Sequence, residues 1–124
     1  MIRLSLLVAA LLSAAAQPAA AQDAARGLTL EHRMLLRCSA AFALVAHGQE
    51  SGDAAMLSYP AVAVQGREYF VQAMARVMDE TGMGREAVTE ELTQEARRLT
   101  TGDGIARIMP ACLASLADIA SPPG

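Results

Sequence analysis

The 124-residue chain has no lysine, no asparagine and no tryptophan, and only two cysteines, two histidines, two tyrosines and two phenylalanines. Each scarcity excludes something. Without lysine there is no Schiff base and no amine nucleophile. All ten cations are arginines, which we read as the bias of a GC-rich bacterial genome. His32 and His47, if they share one helix, stand about 22 Å apart at 1.5 Å of rise per residue, too far to hold one metal. No CxxC, CxxCH or HExxH occurs, so zinc-finger, c-type haem and zincin chemistry fall away. There is also no GxSxG, no Ser-His-Asp order and no phosphate-binding glycine loop. A formal charge of −3 weighs against nucleic acid and against anionic lipid, both of which favour a basic patch.

What is present begins with address. Met1-Ile2-Arg3 carries one positive charge, and Leu4 to Ala16 is a nearly unbroken apolar run. Pro18 breaks it, and Ala19-Ala20-Ala21 supplies the small residues that a signal peptidase reads. This is the layout of a secretory signal peptide over residues 1–21. The run is shorter than the roughly 20 residues a spanning helix needs. Cleavage before Gln22 leaves a single domain over residues 22–124, in which nine arginines face 13 acids for a formal charge of about −4. No second long apolar run follows, so the expectation is a periplasmic or secreted protein with no membrane span after processing. No cysteine stands directly after the cleavage site, which argues against a lipoprotein anchor.

The periodicity predicts an all-α domain, a small bundle of four main helices. Thr29 is a candidate N-cap with Glu31 in the first turn, where a negative charge suits the helix dipole. Leu30, Met34, Cys38, Ala41, Phe42 and Val45 then form one helical face, and His47-Gly48 supplies the stop. Asp53 can cap a single turn through Ser58. Pro60 suits the first position of a second helix running to Thr81, with Phe70, Ala73, Met74, Val77 and Met78 inward. Gly66 inside it moves the alternative start to Arg67. A third helix over 85–101 has acids first and Arg97-Arg98 last, in the order the dipole favours. Its apolar stripe is Val88, Leu92, Ala96 and Leu99. A fourth spans 105–120, with Ile108, Met109, Cys112, Leu116 and Ile119 inward and Pro110 kinking or restarting it.

Two cysteines in an exported chain read as a disulfide, with two free thiols or an intermolecular bridge as the alternatives. Met34, Leu35, Phe42 and Val45 stand around Cys38 at the same offsets at which Ile108, Met109, Leu116 and Ile119 stand around Cys112. Both sulfurs therefore lie mid-stripe, and the expectation is a Cys38–Cys112 bridge between the first and last helices.

Chemistry has few candidates. Thioethers favour Cu(I), and Met74 and Met78 at i, i+4 could form half a site, but Met34, Met74 and Met109 fall on the expected core stripes and core filling is the reading we take. The acidic pairs Asp79-Glu80 and Glu90-Glu91 read as solvated helix faces, with Arg76 offsetting the two acids at the end of the second helix. Met56 to Val64 is too apolar for an ordinary solvated connection. It covers the open end of the bundle, or it docks a partner with Tyr59, Pro60 and Tyr69 as the candidate binding residues.

Cys38 in the first helix, Met109-Pro110-Ala111-Cys112 in the last, and Gly66 to Phe70 between them give the chain a resemblance. It is similar to a family of small, uncharacterised exported bacterial proteins with two cysteines, over most of the mature chain. The resemblance implies a helical fold and a disulfide and carries no activity. By layout alone the chain is also similar to periplasmic acid-stress chaperones, though no motif supports this. The expected function is a non-catalytic binding, chaperone-like or envelope accessory module with a protein partner and no cofactor. The alternative is a periplasmic copper carrier or small enzyme using Met and His.

Overall fold

A computed structural model of the chain describes Pro18 and residues 27–120. The rest of the expected signal peptide and the tail at 121–124 lie outside the described residues. Five helices follow one another: α1 (Leu30–Glu50), α2 (Ala54–Leu57), α3 (Ala63–Thr81), α4 (Arg85–Leu99) and α5 (Gly104–Ala120). Among the described residues there is no strand. The four long helices are the four expected ones, and α2 is the single turn capped by Asp53, whose carboxylate accepts from the Ala55 and Met56 N–H groups.

The hub is α1, which packs against all four other helices. It buries Leu35, Leu36, Cys38, Ala40, Ala41, Phe42 and Val45, which is more than one stripe. A helix surrounded by neighbours is apolar on most of its circumference, so reading a single face understates it. The expected stripe also began one residue early: Leu30 is 79% exposed. Thr29 caps α1 as expected. Its Oγ1 accepts from the His32 N–H at 3.1 Å, and its own N–H donates to His32 Nδ1 at 3.1 Å. Histidine here takes the role that Glu or Gln fills in the usual reciprocal cap.

Where α1 ends differs from expectation. The helix runs through His47-Gly48 to Glu50. Gly48 is buried because α2 crosses it: a Cβ there would come 2.8 Å from Met56 Cβ. The true stop is Gly52 at φ +80°. The Gly52 N–H donates to the Gln49 carbonyl at 3.3 Å and the Asp53 N–H to the Gly48 carbonyl at 2.8 Å, the paired bonds of a Schellman end.

The second main helix begins at Ala63, not at Pro60 or Arg67. Gln49 is the reason for the late start. Its Nε2 donates to the carbonyls of Met56, Tyr59 and Pro60 at 2.9–3.2 Å, and its Oε1 accepts from the Val62 N–H at 3.4 Å. The side chain thus takes up the Tyr59 and Pro60 carbonyls, which a helix starting at Pro60 would have used. Gly66 stays inside α3 because that helix approaches α1 closely: a Cβ would lie 2.9 Å from Phe42 Cβ. At the far end, α4 stops at Leu99, two residues before the expected boundary.

α5 is continuous through Pro110, which lies exposed, so the helix does not restart there. Its Cys112 is bonded to Cys38, with Cα atoms 5.2 Å apart and both residues at most 1% exposed. The bridge closes a sequence separation of 74 residues. On the chain-entropy account that removes on the order of 4 kcal/mol from the unfolded state's advantage.

Candidate functional site

The residues expected to form a docking surface do not stay together. Tyr69 is 1% exposed. Its ring meets Phe42 edge to face at a centroid distance of 5.2 Å, and its hydroxyl hydrogen-bonds Ser115 Oγ at 3.1 Å. It is a core residue and is withdrawn from the docking surface. The polar partner that a buried phenol requires comes from α5, a partner that the sequence does not reveal. Burial raises the Tyr69 pKa above 10.0, with the Ser115 bond and the nearby Arg76 charge acting in the opposite sense. Tyr59 is half-buried and packs against the core, while Pro60 is exposed. Within Met56 to Val64, Val62 is fully buried, whereas Leu57 and Val64 are 56% and 77% exposed. The segment is thus anchored at Tyr59 and Val62, fastened by Gln49, and open at Leu57 and Val64.

Beside this segment lies an open groove of about 610 Å³ between α1 and α3. Ser39, Ala43 and Ala46 on α1 and Ala63 and Gly66 on α3 are too small to fill it. Phe42 and Phe70 supply aromatic surface, and Glu50 and Arg67 bring one charge of each sign. The sequence signal was the run of small residues on the face of α1 next to Phe42. A second concavity, of about 450 Å³, lies on the other side of Pro60 to Val62, against Leu113, Leu116 and Ala117 of α5.

The polar side of the molecule holds two networks. Glu91, expected on a solvated face, is 8% exposed, and Glu95, one turn further on, is 3% exposed. Glu95 Oε1 accepts from Arg33 Nη2 at 2.9 Å and Arg98 Nη1 at 2.7 Å, and Oε2 from Arg37 Nε at 2.9 Å. A carboxylate buried at the α1–α4 seam is tolerated because guanidinium groups satisfy both its oxygens. The helical register that puts Leu92 and Ala96 inward also turns Glu91 and Glu95 toward α1, where Arg33 and Arg37 stand four residues apart.

The second network ties the start of α1 to the end of α3. His32 Nε2 lies 2.6 Å from Glu80 Oε2, Arg76 Nε lies 2.9 Å from Glu80 Oε1, and Arg76 Nη2 lies 2.7 Å from Glu31 Oε1. His32 Nδ1 already accepts from Thr29, so Nε2 carries the hydrogen donated to Glu80. The hydrogen bond from His32, and then that from Arg76, holds the Glu80 carboxyl below the ordinary value of 4.5. Arg76 thus offsets Glu80 as the sequence suggested, with His32 as the added partner.

Both cysteines are spent in the disulfide, so neither is a thiol nucleophile. Met34, Met74, Met78 and Met83 pack against the core and Met109 is fully buried, which gives these thioethers a packing role. Among the described residues no group of three or more His, Cys, Asp and Glu side chains is placed to hold a metal ion. No protein-family model matches the chain, and no curated protein or solved structure matches it either.

Proposed function

We propose that the protein is an exported, non-catalytic binding module, chaperone-like or an accessory of the bacterial envelope, and that its α1–α3 groove receives an apolar segment of a partner protein. The observation carrying this reading is the groove itself: about 610 Å³, open, aromatic at Phe42 and Phe70, with charge supplied by Glu50 and Arg67. An apolar centre with polar groups around it is the composition of a protein-binding patch. The Cys38–Cys112 bridge supports the address, since disulfides persist in oxidising compartments. So does the leader-like pattern of residues 1–21. Among the described residues no helix is long and apolar enough to cross a membrane. The residues on which the resemblance to small exported two-cysteine bacterial proteins rests each have a structural role in this chain. Cys112 forms the bridge, Gly66 permits the α1–α3 approach, and Tyr69 locks α3 to Phe42 and Ser115.

Ala43 is exposed and lines the groove, which makes it the test position. A photo-crosslinker at Ala43 in cells is expected to give one discrete adduct in the envelope fraction, and the same group at exposed Glu90 none. A43E is expected to abolish capture of the protein in that adduct while leaving the melting temperature unchanged. Equal adducts from both positions, or capture indifferent to A43E, would refute the groove as the binding surface. N-terminal sequencing of the envelope form tests export, with Gln22 expected first.

A further inference from the structure

A different concavity, between α1, the end of α4 and the start of α5, has the opposite chemistry. It encloses about 290 Å³, and Arg37, Arg98 and Arg107 line it together with Leu99, Gly104 and Ile108. Three of the chain's ten arginines thus face one small pocket, in a protein whose net charge is negative. We propose that this pocket binds a small tetrahedral oxyanion of the phosphate class, free or as a small phosphate monoester.

The argument rests on how the arginines are held. Arg37 is fixed through Nε and Arg98 through Nη1 by the buried Glu95, and Arg107 through Nε by Asp103 at 3.0 Å. A guanidinium has five N–H donors in a fixed plane. Each of the three spends one nitrogen on its carboxylate in these contacts, and its side chain lines the pocket. Glu95 cannot neutralise the group alone, because its single charge is shared by Arg33, Arg37 and Arg98. The ion pairs with Glu95 and Asp103 offset part of the repulsion among the three guanidinium groups, and an anion between them relieves the rest. Guanidinium forks match phosphate oxygens in geometry, and a tetrahedral oxyanion accepts from three directions where a planar carboxylate does not. Glu95 is a positioning residue here: it orients Arg37 and Arg98 and does not face the ligand.

The test is a titration of the mature protein, residues 22–124, with inorganic phosphate, read on the arginine Nε–Hε resonances by NMR. Sodium chloride at matched ionic strength is the control. Phosphate is expected to shift Arg98 and Arg107 saturably, and chloride is not. R107Q is expected to weaken phosphate binding roughly tenfold, the loss of one charge-assisted hydrogen bond. Its melting temperature should hold, because Arg107 and Asp103 are 76% and 69% exposed. R98Q is the second variant, since Arg33 and Arg37 still satisfy Glu95 without it. Shifts that track ionic strength alone, or a phosphate affinity unchanged in both variants, would overturn the proposal.

Discussion

Two residues make the fold sensitive to pH in opposite directions. Glu80 has a lowered pKa in the folded state because His32 and Arg76 donate to its charged form. A group lowered on folding contributes stability that is complete above its unfolded value and disappears as pH falls through the folded one. The chain should therefore lose stability below about pH 4.5, and Glu80→Gln should flatten that acid limb of the melting-temperature profile. Tyr69 works the other way. Its pKa is raised, chiefly by burial, so its neutral form contributes fully below pH 10.0 and the contribution is lost as pH climbs through the raised value. Tyr59→Phe leaves Tyr69 as the chain's only phenol. In that variant the phenolate absorbance should appear above pH 10.0, together with unfolding. Phenolate formation at or below the ordinary value would contradict the burial of Tyr69.

At the scale of elements, the close approach of α1 and α3 depends on one missing methyl group. Gly66→Ala gains up to about 1 kcal/mol of helix propensity in isolation. Its Cβ, however, would lie 2.9 Å from Phe42 Cβ, a stem that cannot swing away. We expect a net loss of about 1–2 kcal/mol, measured by chemical denaturation, as overpacking outweighs propensity. Stability equal to or above that of the native chain would mean that the two helices separate freely. The connection between α2 and α3 answers a different question. Tyr59 is half-buried and its carbonyl is taken by Gln49. Tyr59→Ala should therefore lower stability by about 1.5–2.5 kcal/mol, roughly half the cost of truncating a fully buried aromatic. A melting temperature left unchanged would return this segment from structural cover to free surface.

For the whole molecule the disulfide is the largest single constraint. It joins the hub α1 to α5, the last helix in the chain. The Cys38→Ala/Cys112→Ala double variant should lose about 3–4 kcal/mol, a large share of the roughly 5–15 kcal/mol typical of a domain. Far-UV circular dichroism should remain helical at low temperature, since capping and the α1–α3 and α1–α4 contacts do not depend on the bridge. A double variant as stable as the native chain would show that the sulfurs add nothing beyond packing.

Sequence alone determined the all-helical class, the number of long helices and the Thr29 and Asp53 caps, and it gave Cys38–Cys112 as the expected pairing, which the structure shows. These follow from local periodicity, local hydrogen bonding and a count of two. Only the tertiary structure decided how far each element runs and what each polar side chain does. Gly48 reads as a stop until α2 is seen crossing it, and Pro60 reads as a helix start until Gln49 claims the carbonyls around it. Tyr69 looks like a docking residue because tyrosine suits both surfaces and cores, and only Phe42 and Ser115 place it in the core. The burial of Glu95 is not legible in the sequence, because a buried carboxylate requires partners that come from elsewhere, here Arg33 and Arg37 on α1 as well as its neighbour Arg98. The groove and the arginine pocket are concavities between helices. A concavity depends on which small or charged residues meet across a seam, so no single segment encodes it.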